Sequence, residues 1–216
     1  MSNCAIDHFM YAVPSLEYGN EWAQRTFGML PAYGGEHVGL GTCNALLSLG
    51  STYLEIIAPD PAQNLPPNSL GAQFSQLQEG GLVTWAVQGD LPSIAKTLHN
   101  FQFESRGPVR TERMTAQQER LVWELLFPGT SSYGVQMPFF IDWLQCAHPS
   151  ETNPVCGSLL SFHISTPEPD KLNEVLAQLG LDVVVMAGEP AIWAELQAET
   201  GVVTLHSSTA TMAVRF

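Results

Sequence analysis

Basic residues are scarce in this chain: eight Lys and Arg oppose twenty-one Asp and Glu, for a formal charge of -13. So acidic a surface repels phosphate backbones and anionic lipid headgroups, which argues against nucleic acid and membranes as partners. Cysteine is sparse too. Cys4, Cys43, Cys146 and Cys156 have neither CxxC spacing nor the density of a disulfide framework, and they read as reduced thiols of a cytoplasmic protein. The opening MSNCAIDHF lacks a basic segment followed by an apolar one, so no signal peptide is expected. No apolar run approaches the roughly 20 residues that span a bilayer. A nucleophile elbow, a phosphate loop and a zinc-protease signature are all missing, and with them any support for a hydrolase or a nucleotide binder.

What is present is a folded chain. With 216 residues and 45% hydrophobic content it can bury a substantial core, as one domain or two tightly packed units. Its most informative stretch begins at Gly34: GGEHVGLGTCNALLSLGSTYLEIIAP. Two short apolar runs, Asn44–Leu49 and Tyr53–Ala58, flank the turn Gly50-Ser51 and read as a hairpin. Glu55 sits inside the second run, between Leu54 and Ile56. A carboxylate among apolar strand residues needs a partner or a polar cavity.

Around this hairpin the elements repeat. Cys4–Val13 alternates as a strand, with Ile6, His8, Met10 and Ala12 on one face and Asp7, Phe9, Tyr11 and Val13 on the other. Ser15 is placed to cap a helix that runs to about Phe27, with Gly28 as its C-terminal stop. Residues 30–38 add another strand. After the proline-rich connection 59–67, a short helix is expected over 68–79. A second series follows: Gly81–Gln88 as strand, a helix capped by Asp90, then Arg120–Phe127 and Phe139–Leu144 as strands. The pattern AVPSLE returns as AVQGDLP, and FFIDWL placed beside TYLEII aligns Asp142 with Glu55. Beyond the turn-rich linker 146–157, a third segment runs strand, helix, strand, strand, strand. The boundaries are therefore 1–61 and 68–145 for two modules and 157–216 for an addition.

IDHFMYAVPSLE, GGEHVGLGTCNALLSLG and YLEIIAPDP, with PFFIDW closing the second module, resemble the glyoxalase-like proteins of the vicinal oxygen chelate superfamily. The resemblance covers about residues 5–145. It implies an α+β fold in which paired βαβββ modules form a curved, barrel-like mixed sheet, here with a related C-terminal addition. It also implies a divalent metal, Zn, Mn, Ni or Fe, held by the first and last strands of each module. Carried over by position, the ligands are His8, Glu55 and Asp142, while Leu82 falls at the fourth place and cannot ligate. The activity implied is a lyase, isomerase or dioxygenase acting on a small carbonyl or diol substrate. A sequestering, resistance-type binding protein is the alternative, and a homodimer is compatible with either.

Each candidate has two readings. His8 and Glu55 suit a divalent ion that polarises a carbonyl, with Glu55 moving a proton; equally, they can pair with each other inside a polar cavity. His37 reads as an acid–base or ligand-binding group and Asn44 as a holder of a carbonyl or hydroxyl, against surface and turn roles. Arg110 and Arg113 stand out in so acidic a chain. Arg113 is the expected carboxylate anchor, although Glu112 and Glu119 offer surface partners. Trp85, Trp123 and Trp143 either wall an apolar pocket, Trp123 foremost, or fill the core. His163 reads as structural.

Overall fold

The computed structural model describes residues 4–114, 120–129 and 132–215, without the side chains of Arg113 and Met114. The first module comprises β1 (Ala5–Ala12), α1 (Leu16–Phe27), β2 (Ala32–His37), β3 (Thr42–Ser48) and β4 (Tyr53–Pro59). A short helix, α2 (Leu70–Phe74), leads to the second module: β5 (Gly81–Gln88), α3 (Leu91–Asn100), β6 (Ser105–Met114), β7 (Arg120–Pro128) and β8 (Phe139–Asp142). The third segment follows α4 (Pro149–Thr152) with β9 (Ser158–Thr166), α5 (Pro169–Gln178), β10 (Val184–Ala187), β11 (Ala191–Ala198), β12 (Gly201–His206) and α6 (Thr209–Met212).

Local chemistry sets the boundaries. The Ser15 hydroxyl accepts from the Tyr18 amide at 3.1 Å, and Gly28 ends α1 in the left-handed region at φ 74°. Asp90 caps α3 through the Ser93 amide at 2.9 Å. The strand β6 was not expected, because SRGPVRTERM carries four charges and a proline. It forms at the end of the sheet, where the register against β7 shifts between Arg106 and Val109, and an edge strand with an irregularity tolerates both features.

Eight strands form one mixed sheet in the order β2-β3-β4-β1-β5-β8-β7-β6. Each module contributes four neighbours, with its last strand parallel to its first. The antiparallel pairing of β1 with β5 joins the halves, and the end strands β2 and β6 approach each other, so the sheet curls around a hollow. This is the α+β architecture of paired βαβββ modules that the sequence resemblance implies.

The third segment has the same order of elements but pairs its strands differently. Its sheet runs β10-β9-β11-β12, with β10 directly beside β9, whereas in the modules the strand after the helix lies at the far edge. One face of this sheet covers the back of the large one. Phe162 packs against Phe9 on β1 and Trp85 on β5, at ring separations of 4.9 and 4.8 Å. All three side chains are buried, and large aromatics of this kind contribute about 1.5–3 kcal/mol each through removal from water. The convex side of the central strands is thus solid core, and the concave side is left for function.

Among the described residues no helix is long and apolar enough to cross a membrane, and all four cysteines are free.

Candidate active site

The concave face encloses a cavity of about 800 Å³. Its two halves differ in character. On the first module's side, four adjacent strands bring polar groups together: His37 on β2, Asn44 on β3, Glu55 on β4 and His8 on β1, with Glu36 of β2 also in the lining. Register explains the gathering. Leu46 is opposite Glu55, so Asn44, two residues along β3, shares its face. Met10 is opposite Glu55 on the other side, so His8 does likewise. On the second module's side β7 and β8 supply an apolar wall, Trp123, Leu125, Phe127, Phe139 and Ile141, and β6 adds Arg106, Thr111 and Glu112.

The polar groups form one chain of contacts. The Asn44 amide donates to Glu55 Oε1 at 2.6 Å and lies 3.3 Å from His37 Nε2. His37 Nδ1 is 2.9 Å from the Thr42 hydroxyl. The other carboxylate oxygen of Glu55 lies 3.4 Å from His8 Nε2. His8 Nδ1 in turn donates to Asp7 Oδ1 at 2.6 Å, and the Tyr53 ring stacks on the imidazole at 4.6 Å. Asp7 Oδ2 takes the Trp143 indole N–H at 2.9 Å and His148 Nε2 at 3.0 Å.

Asp7 was expected to point away from His8, as neighbours on a strand do. A bulge reverses that. The register of β1 on β5 passes from Ile6 opposite Val87 to His8 opposite Ala86, leaving Asp7 as the extra residue, and the Thr52 hydroxyl holds its carbonyl at 2.6 Å. The adjacent Asp-His pair was the one signal in the sequence for this arrangement. Nothing in the sequence marked His148, which lies in the linker read only as a turn-rich connection.

Burial makes these charges depend on one another. Asp7, His8 and Glu55 are only 0, 3 and 6% exposed. For His8, burial alone would disfavour the charged form, yet the Asp7 and Glu55 carboxylates outweigh it and hold the imidazole up at about 9. Burial would likewise raise Glu55, but His8, backed by His37 and Asn44, pulls it down to about 2. Asp7 is also held at about 2, its burial overcome by His148 and His8. An imidazolium is therefore clamped between two carboxylates on the cavity wall.

The metal-ligand set is not assembled. Asp142 alternates with Phe139 and Ile141 on β8, so its side chain turns away from the cavity, and its Oδ1 accepts from the Leu144 amide at 2.8 Å. Leu82 is a core residue buried with Phe9 and Trp85, and it is not the counterpart of His8. Ala5 is opposite Gln88 and Ala12 opposite Gly81, so the half-turn relating the modules carries His8 to Thr84. It carries Met10 to Ala86 and hence Glu55 to Phe139, the residue opposite Ala86. Thr84 spends its hydroxyl on the Val135 carbonyl at 3.4 Å, and Phe139 is part of the apolar wall. Among the described residues no three His, Cys, Asp or Glu side chains are grouped to hold a metal ion. A four-ligand or one-His, two-carboxylate centre does not fit this donor set.

The remaining candidates separate cleanly. Trp123 and Trp143 line the cavity, whereas Trp85 is core and donates to the Gln136 carbonyl at 2.9 Å. Arg110 pairs with Glu124 at 3.7 Å outside the cavity lining. Arg113 is opposite Leu121 in β6, and its side chain lies outside the described residues. His163 stacks on Trp193 in the C-terminal sheet.

Comparison with known proteins agrees with this architecture. A family model described as a glyoxalase-like domain matches residues 6–180. A hypothetical protein from Staphylococcus aureus has the same fold, with a TM-score of 0.65 at 17% identity over 95% of this chain and 86% of that one. Methylmalonyl-CoA epimerase from Mycobacterium tuberculosis (TM-score 0.42, 19% identity, 63% of this chain and 84% of that one) is a more distant likeness. So is a hypothetical protein from Bacillus halodurans C-125 (TM-score 0.47, 13% identity, 67% of this chain and 99% of that one). No curated protein matches. The chain belongs to the glyoxalase-like domain family.

Proposed function

We propose that this protein is an enzyme that moves a proton on a small, largely apolar carbonyl compound, with His8 as acid and Glu55 as base. The observation that carries this reading is the His8–Glu55 pair, 3.4 Å apart and buried, on the polar wall of a cavity that β7 and β8 line with apolar side chains. A substrate carbonyl oxygen entering beside the pair takes the Nε2–H of His8. Glu55 then loses the partner that keeps its pKa low, while the burial that raises it remains. The carboxylate becomes a base strong enough to take a proton from the carbon next to the carbonyl. The C–H electrons move into the C–C bond, the carbonyl π pair moves to oxygen, and His8 protonates that oxygen to give the enol. Return of a proton from Glu55 to the same carbon, with the enol O–H proton going back to His8, completes an exchange; from the enediol of an α-hydroxyketone, protonation of the former carbonyl carbon with loss of the other hydroxyl's proton completes an isomerisation. Asp7 holds the imidazole in place and balances its charge throughout.

No step runs through a divalent metal, because the donor set on this wall does not fit one. The large apolar wall also suits a protein that binds its ligand without turning it over, and that is the second reading. Solvent deuterium exchange separates the two. A panel of small ketones and α-hydroxyketones incubated in D₂O is followed by proton NMR, with the Glu55→Gln variant alongside. Exchange next to the carbonyl that is lost in the variant supports catalysis. Binding without exchange, or exchange equal in both proteins, overturns it.

A further inference from the structure

Two solvent-exposed arginines that the acid–base pair does not use line the cavity, Arg106 from β6 and Arg215 from the segment after α6. Their presence is not a matter of abundance, since the whole chain has only eight basic residues. Other arginines are matched to carboxylates: Arg25 to Glu21, Arg110 to Glu124 and Arg120 to Glu112. Among the described residues Arg106 and Arg215 have no such partner. Of the acidic residues that line the cavity, Glu112 is taken by Arg120 and Glu55 by His8, which leaves Glu36.

Both arginines are held by contacts that leave donors available. The Arg106 guanidinium lies 5.4 Å from the centroid of Phe127, a residue of the apolar wall, and stacking of this kind occupies a face and not the N–H edge. Arg215 is fixed through its main chain. Its amide donates to Gln73 Oε1 and its carbonyl accepts from Gln73 Nε2, both at 2.9 Å, while its neighbour Val214 is buried beside Met10 and Phe74. Among the described residues its Nη1 bonds only to main-chain carbonyls, those of Met212 and Val214. The third segment thus returns to the large sheet and sets a cation into the cavity wall.

From this arrangement we infer that the substrate carries a carboxylate, bound by Arg106 and Arg215, with its carbonyl directed to His8 and Glu55. This inference rests on the proton-transfer reading for its carbonyl end. The carboxylate end stands on the arginines alone. A guanidinium presents a planar fork that matches a carboxylate, and the apolar side chains of β7 and β8 in the same cavity accept a hydrocarbon middle. The substrate class is a keto acid with its two functional groups separated by apolar carbons.

The test compares two probes that differ in that group, 5-oxo-5-phenylpentanoate and the neutral ketone valerophenone. Binding is followed by quenching of the fluorescence of Trp123 and Trp143, both in the cavity lining. The acid is expected to bind about tenfold more tightly than the ketone, the worth of one charge-assisted contact. The advantage shrinks as salt is raised. Arg106→Gln and Arg215→Gln should each narrow the gap between acid and ketone. The second variant keeps the main-chain clamp to Gln73, so loss of folding does not explain its effect, and the first provides an independent check. Equal affinity for the two probes, no binding of the acid, or an acid preference untouched by both substitutions overturns the inference. Failure of the proton-transfer reading looks different: the acid preference persists, and the bound acid exchanges no deuterium next to its ketone.

Discussion

Asp7 and His8 are consecutive residues in a strand, and their side chains are hydrogen-bonded to each other at 2.6 Å. Regular pleating sends neighbours to opposite faces, so this contact exists only because the strand is bulged there. The bulge ties a fully buried carboxylate to the imidazole of the cavity wall and lets three further groups, Trp143, His148 and Glu55, join the same network.

Removing the base should stop proton transfer while leaving the cavity intact. Glu55→Gln keeps the shape and the hydrogen bond capacity toward Asn44, and exchange should fall by about 10²–10⁴-fold, the usual contribution of a positioned acid–base group. Deuterium incorporation measured under saturating ketone gives the ratio directly.

Stability should depend on pH through His8. Its folded pKa is raised from 6.5 to about 9, so the stabilisation is fully present below 6.5 and is lost as pH rises toward 9. Urea midpoints taken across that window should decline for the parent. The His8→Gln variant should be less stable at pH 6 and show a flatter profile between 6.5 and 9.

His148 supports the site from behind. In His148→Phe, Asp7 loses one of the partners that hold it near 2, so its pKa moves up and acid unfolding begins at higher pH. Loss of one hydrogen bond to a buried carboxylate costs about 1–3 kcal/mol. Acid titration of both proteins by circular dichroism measures the displacement.

Gly71 has no room for a side chain. A methyl group added there would meet the Gly41 carbonyl oxygen at 2.0 Å, and that oxygen is fixed by the Asp60 amide. Gly71→Ala should cost about 1–3 kcal/mol, as overpacking does, and lower the melting temperature by several degrees. Differential scanning calorimetry tests it.

Metal should not be retained stoichiometrically. After dialysis against Zn, Mn, Ni or Fe(II) followed by buffer, elemental analysis is expected to give far less than one ion per chain, with Glu55→Ala no different from the parent. An ion bound one to one and lost in Glu55→Ala would show that His8 gives up its proton and the pair opens.

Much of the fold was legible because it follows from periodicity and caps. The strand–helix–strand order, the caps at Ser15, Gly28 and Asp90, and the hairpin around Gly50 all rest on local chemistry. Glu55, His37 and Asn44 were legible as candidates for the same reason, being polar groups in or beside apolar strands. The second half of the proposed ligand set was not. Matching the Ala-Val pairs equated the end of β1 with the interior of β5, because Val87 is followed by one more strand residue before its turn. That shift of two residues put Leu82 where the pairing register puts Thr84; on β8 the displacement was three residues, Asp142 in place of Phe139, and an odd number exchanges the faces. Bulges and registers are properties of paired strands, and a single strand read alone does not contain them. The same holds for His148, which reaches Asp7 behind the cavity wall, and for Arg215, which reaches the cavity: tertiary packing brings both there.

The large sheet is one residue thick between the cavity and Phe162, since His8 faces one side and Phe9 the other. Substitutions at Phe162 therefore act as a remote adjustment of the acid. A smaller side chain would let β1 settle backward, lengthening the reach from imidazole to substrate without altering any group that touches it. For the proposed proton transfer, variation in the third segment is expected to change the rate while the cavity lining stays unchanged.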